Sequence, residues 1–190
     1  ALVRHLNVAG VAFTGSTDVA QHISKALAVK NGPIVPLIAE TGGQNAMIVD
    51  STALPEQVVD DALLSAFGSA GQRCSALRVL CLQEDIADRV IHLLKGAMAE
   101  LVVGDPSHIA TDVGPVIDAE AKTALDKAIA RLESIGTLIA RAKAPSSTLM
   151  EKLPFVVPSA YEIKDLSALE GEVFGPVLHV VRYPAGGLER

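Results

Sequence analysis

Ala70-Gly71-Gln72-Arg73-Cys74-Ser75-Ala76-Leu77-Arg78, continuing as Val79-Leu80-Cys81-Leu82, is the stretch on which the reading of this chain turns. A small-residue, glycine-bounded loop presents a thiol and then enters an apolar run, Leu77 to Leu82, that reads as a strand. Upstream by 34 positions, Glu40 ends another apolar run and opens Glu40-Thr41-Gly42-Gly43-Gln44-Asn45. A thiol on one Gly-rich loop and a carboxylate on a second are the residue types of a nucleophile and its base. Arg73 beside the thiol favours the thiolate. Glu40, partly buried at a strand end before a Gly42-Gly43 hinge, suits a general base. Each has an ordinary alternative: a loop thiol without chemistry, and a carboxylate that caps a turn. Cys81, inside Val79-Leu80-Cys81-Leu82, reads as a buried and inert thiol.

The whole composition is that of a folded protein. Of 190 residues, 49% are hydrophobic and 20% charged, enough for one domain or parts of two. A net charge of −6 without any Lys/Arg cluster argues against a nucleic-acid surface. No apolar run approaches the roughly 20 residues of a membrane span, and no signal segment opens the chain. Two cysteines make no disulfide framework, which points to a reducing, cytoplasmic setting. The five histidines are scattered without metal-ligand spacing, so no metal is expected. The chain opens on Ala1-Leu2-Val3 without Met and stops at Gly186-Gly187-Leu188-Glu189-Arg190, so it reads as a piece of a longer polypeptide.

Strands and helices alternate. Strands are expected at 11–14, 34–38 (buried), 46–49, 77–82, 155–157 and 177–181, and helices at 18–29, 54–67, 85–101 and 118–135. Gly136 caps the last helix, and Ala144 to Thr148 is loop chemistry. This order implies an α/β fold around a mainly parallel sheet flanked by helices.

Two further segments carry chemistry. Val11-Ala12-Phe13-Thr14 runs through Gly15-Ser16 into a helix, a junction that offers backbone N–H groups to a phosphate or forms an ordinary cap. In Glu172-Val173-Phe174-Gly175-Pro176, the carboxylate suits ribose hydroxyls and the ring suits a flat ligand; the alternative is a strand entry with an apolar anchor.

Together, Phe13-Thr14-Gly15-Ser16, Glu40-Thr41-Gly42-Gly43, Gly71-Gln72-Arg73-Cys74 and Glu172-Val173-Phe174-Gly175-Pro176 stand in the order and spacing of the aldehyde dehydrogenase superfamily. The longer stretches Ala39 to Met47 and Ala70 to Arg78 resemble the glutamate-γ-semialdehyde (Δ1-pyrroline-5-carboxylate) dehydrogenase module of bifunctional proline utilization A proteins. The resemblance covers nearly the whole chain. It implies an aldehyde dehydrogenase-like fold truncated at both ends, with residues 1–44 the end of an NAD-binding domain and 45–190 an incomplete catalytic domain.

The resemblance also implies roles. Cys74 attacks the aldehyde, hydride passes to NAD, and Glu40 activates the water that hydrolyses the thioester. Gly15 and Ser16 lie at the pyrophosphate, Thr41 and Gly42 line the nicotinamide pocket, Glu172 holds the nicotinamide ribose, and Phe174 packs near the ring. Ser75 contacts the semialdehyde. The family's second oxyanion donor, an Asn, and its adenine-ribose Lys would precede residue 1, and the loop that anchors the substrate's amino-acid end would follow Arg190. FAD is expected only in a separate proline dehydrogenase region. The implied partner is a small aldehyde, with homo-oligomerisation open. Two rival readings stand beside this one: a folded fragment without catalytic competence, and a Cys-dependent acyltransferase or hydrolase.

Overall fold

The computed structural model describes residues 2–187, and the chain divides into two compact units, Ala1–Gly43 and Gln44–Arg190. The first holds a single β-α-β crossover. Strand β1 (Val11–Thr14) leads to helix α1 (Thr17–Ala28) and to strand β2 (Leu37–Glu40), and the two strands pair in parallel from Val11↔Leu37 to Thr14↔Glu40. Ser16 begins the helix, its hydroxyl accepting the Val19 N–H at 3.3 Å and satisfying a donor that the helix cannot.

The expected buried strand at 34–38 is corrected here. The ladder runs from Leu37 to Glu40, Ile34 is 99% exposed, and Ile38 is exposed as well. Proline explains the shift. Pro33 and Pro36 have no N–H to give, and Pro36 enters only through its carbonyl, which accepts from Val11 at 3.0 Å.

The second unit is built on five strands: β3 (Ala46–Val49), β4 (Val79–Gln83), β5 (Thr137–Arg141), β6 (Ser159–Glu162) and β7 (Val177–Tyr183), in the order β3-β4-β7-β6-β5. All neighbours are parallel except β5 and β6, which are antiparallel. The helices are α2 (Pro55–Phe67), α3 (Glu84–Glu100), α4 (Ala119–Ile135) and α5 (Ser147–Lys152). Central strands covered on both faces need continuous apolar runs, and β4 and β7 supply them. Alternation then sorts the layers. Leu80, Leu82, Leu178 and Val180 pack in one cluster with Val58, Val59 and Ala62 of α2 and Ile86, Val90 and Leu94 of α3. Val79, Val177 and Val181 pack in another with Leu132 of α4. Each large aliphatic side chain buried this way contributes roughly 1.5–3 kcal/mol.

Three expectations fail in the stretch after α4. Strand β5 was not foreseen, and the 144–148 loop gives way to α5 from Ser147. The expected strand 155–157 is no strand: Phe155 and Val156 are buried core residues, and the ladder begins at Ser159 beyond Pro158. Pro158 again contributes only a carbonyl, which accepts from Ala142 at 2.9 Å. Gly136 does end α4, donating its N–H to Leu132 O at 2.8 Å, but from extended backbone; a Cβ there would lie 2.8 Å from Glu162 O, so close packing demands the glycine.

Candidate active site

The predicted site residues fall into two groups, one in each unit. In the first, Thr14↔Glu40 is the last pair of the β1–β2 ladder, so Gly15, Ser16, Glu40, Thr41 and Gly42 all gather at the carboxyl ends of two parallel strands. Ligands of parallel α/β sheets bind at that end. The Gly15 N–H donates to Glu40 O at 3.1 Å, which ties the two loops together and spends one N–H expected to face a phosphate. The Ser16 hydroxyl accepts in its capping bond and keeps its own proton to donate. Glu40 is exposed, not partly buried as expected.

The second group lies at the opposite end of its sheet, before the first residues of β3, β4 and β7. Cys74 and Ser75 are the exposed central residues of a tight turn closed by the Ala76 N–H on Arg73 O at 3.0 Å. Asn45 clamps that turn. Its Nδ2 donates to Cys74 O at 2.7 Å and to Ala76 O at 2.9 Å, and its own carbonyl accepts the N–H groups of Arg78 and Val79. The Cys74 N–H meets no acceptor among the described residues. Arg73, expected to favour the thiolate, sends its guanidinium to Leu64 O at 3.2 Å.

The turn is entered through unusual backbone. Ser69, Ala70 and Gly71 are consecutively left-handed, at φ 55°, 52° and 64°. For Ser and Ala this region is strained, at about 1–3 kcal/mol each. It delivers Gly71 against the 172–176 segment, where a Cβ on Gly71 would overlap the Gly175 carbonyl and lie 2.8 Å from Ala66 O. Gly175 is packed just as tightly, against Leu125 of α4.

Arg78 joins the two segments. Its side chain is wholly buried, and its Nε and Nη2 donate to Glu172 Oε1 at 3.3 and 3.1 Å. Nη1 donates to Gly175 O and Nη2 to Arg73 O, both at 3.2 Å. The guanidinium carbon sits 5.3 Å from the centroid of Phe174, within cation–π range. Burial pulls the Arg78 pKa below its usual range, and the bond and charge of Glu172 oppose that pull. His179 on β7 completes the cluster, with Nδ1 2.9 Å from Arg78 O and a buried Nε2 that has no partner among the described residues. Burial holds this imidazole below its ordinary pKa.

Cys81 on β4 is half-buried, not buried as expected, and burial pushes its thiol up. Among the described residues no His/Cys/Asp/Glu group could hold a metal, and no helix is long and apolar enough to cross a membrane. Arg78 and Asn45 are the site residues that sequence reasoning passed over. A charged residue inside the apolar run after Cys74 was the available signal for Arg78.

A family model described as "Aldehyde dehydrogenase family" matches residues 1–185. The bifunctional protein PutA of Salmonella typhimurium is 52% identical over 188 residues, covering 96% of this chain and 14% of that protein's own length. A crystal structure of a Bradyrhizobium japonicum Proline Utilization A variant superposes with a TM-score of 0.93 at 58% identity, covering 100% of this chain and 19% of the other. The 1-pyrroline-5-carboxylate dehydrogenase from Thermus, solved with bound NAD, gives a TM-score of 0.87 at 29% identity, covering 99% of this chain and 37% of that one.

Proposed function

This chain belongs to the aldehyde dehydrogenase family, and from that premise we propose that it carries the nucleophile of an NAD-dependent oxidation of L-glutamate γ-semialdehyde to L-glutamate in proline catabolism. The observation that carries the reading is the Cys74 turn. An exposed thiol sits on backbone held by Asn45, with its own N–H unengaged among the described residues and aligned with the Glu172–Phe174 segment through Arg78. The PutA and 1-pyrroline-5-carboxylate dehydrogenase relatives support the substrate class.

In this reading the Cys74 thiolate attacks the aldehyde carbon, and the backbone N–H of Cys74 stabilises the oxyanion of the thiohemiacetal. NAD, held by Ser16 and Glu172, would supply the hydride acceptor that takes the thiohemiacetal carbon on Cys74 to the thioester level. Glu40 takes a proton from water, the hydroxide displaces the thiolate, and the carboxylic acid departs. The residues suit NAD. Ser16 offers a hydroxyl proton at the N-terminus of a 12-residue helix, where anions are favoured. Glu172 keeps its second carboxylate oxygen without a partner among the described residues, as a ribose acceptor requires. Gly15, Thr41 and Gly42 share the strand end with Ser16, Ser75 stands beside the nucleophile for the substrate, and Phe174 presents a ring, 42% exposed, for the nicotinamide. Residues 1–44 thus belong to the cofactor-binding part and 45–190 to the catalytic part. Two free cysteines suit a reducing cytoplasm.

The test is aldehyde-dependent NADH formation by the full-length protein that carries this chain, with calorimetric titration of NAD alongside. Turnover with the semialdehyde and NAD affinity in the micromolar range are expected. Absence of both would overturn the dehydrogenase reading; turnover by the full-length protein without NAD binding by the isolated chain would make the chain alone a folded but incompetent fragment.

A further inference from the structure

We infer that Arg78 is a positioning residue for the cofactor: it fixes one oxygen of Glu172 so that the other faces the nicotinamide ribose, and ties that carboxylate to the Cys74 turn. The inference rests on the reading above and gives Arg78 a role toward the cofactor that the reading does not assign. A wholly buried guanidinium in an otherwise apolar run is costly, and a hydrophobic residue of similar volume would often be at least as stabilising. Core filling therefore does not account for it. Four of its N–H···O bonds run to three places: Glu172 Oε1 twice, Gly175 O, and Arg73 O. Those places are the two sides of the candidate site, separated by about a hundred positions in sequence and spanned by one rigid planar fork.

The geometry is asymmetric in a useful way. Both bonds to the carboxylate end on Oε1. An ionised carboxylate has lone pairs on both oxygens, so Oε2 keeps its full capacity for two adjacent hydroxyls. Glu172 is also the single carboxylate in contact with this cation among the described residues. The guanidinium faces Phe174 at the same time, which holds the ring in place beside the carboxylate. Arg78 touches neither cofactor nor substrate and acts through Glu172 and Phe174.

The experiment is a double-mutant cycle on the full-length protein, reading NAD affinity by calorimetry and the two KM values in steady state. Arg78→Lys keeps the charge and loses the fork, and is expected to weaken NAD about tenfold, the scale of a charge-assisted bond. KM for NAD rises by the same factor and KM for the aldehyde stays within about twofold. Glu172→Gln is expected to weaken NAD about tenfold, and the double variant no more than about twofold beyond it, because Arg78 acts through the same carboxylate. Losses that multiply to about a hundredfold, or an Arg78→Lys protein that binds NAD like wild type, overturn the inference and leave the site reading intact. A Glu172→Gln protein with wild-type NAD affinity overturns both. If Arg78→Lys does not fold, Glu172→Asp decides: it keeps the charge but is one methylene too short to reach Arg78 and ribose together. An approximately tenfold loss is then expected, and wild-type affinity overturns the inference.

Discussion

Replacing Cys74 by Ala is expected to lower NADH production from the semialdehyde by at least about 10³-fold, while the protein folds and binds NAD within about threefold of wild type. The size follows from the role, since removing a covalent nucleophile leaves only what binding and oxyanion stabilisation supply. Preserved folding follows from the geometry. The turn is closed by the Ala76 N–H on Arg73 O and clamped by Asn45, and every bond that Cys74 makes there uses its backbone. The side chain is exposed, so its loss opens no cavity in the core. Steady-state kinetics on the full-length protein, with a thermal melt on the same sample, check both halves. Retained activity would remove Cys74 from the mechanism, and with it the rival Cys-dependent acyltransferase or hydrolase reading.

Gly71→Ala is expected to destabilise the catalytic part by about 2–5 kcal/mol. Two costs combine. The backbone at φ +64° disfavours any L side chain, by roughly 1–2 kcal/mol. The new methyl group would also overlap the Gly175 carbonyl, and Gly175 cannot retreat because its far side meets Leu125. Relief must therefore move either the Cys74 turn or the Glu172–Phe174 segment, so activity falls along with stability. Differential scanning calorimetry is expected to show Tm lowered by roughly 5–15 °C. A variant within about 0.5 kcal/mol of wild type would mean that the Gly71–Gly175 contact is not a constraint.

What could be read from residues alone divides along physical lines. Helices α1, α2, α3 and α4 were legible because their caps and apolar spacing are local: Ser16, Pro55 and Asp118 mark three starts, and the buried face of α3 recurs as Ile86, Val90 and Leu94. Strands β3, β4 and β7 were legible as apolar runs between loops. Strands β5 and β6 were not, because an antiparallel edge pair depends on a partner about twenty positions away and on Pro158 deferring the ladder past the most apolar residues. Phe155-Val156-Val157 reads as a strand by composition and in the fold serves the core without pairing.

At the candidate site, the residues proposed to carry chemistry are legible by type, whereas those that hold them are not. Cys74, Glu40 and Glu172 stand out as a thiol and two carboxylates beside glycine turns. Arg78 and Asn45 acquire meaning only from contacts with Glu172, Gly175 and the Cys74 turn, which the fold creates across long stretches of chain. The backbone strain at Ser69 and Ala70 is likewise invisible in Gly68-Ser69-Ala70-Gly71, since neither residue type prefers that conformation.

The central claim is that Cys74 carries the acyl group and Glu40 releases it. Its most direct test is the mass of the Cys74 peptide after Glu40→Gln protein is mixed with NAD and the semialdehyde. The account predicts a burst of about one NADH per site, then slow turnover, with a hydroxylamine-labile glutamyl adduct on Cys74. Wild-type turnover with an unmodified Cys74 peptide, or an adduct on any other residue, would contradict it.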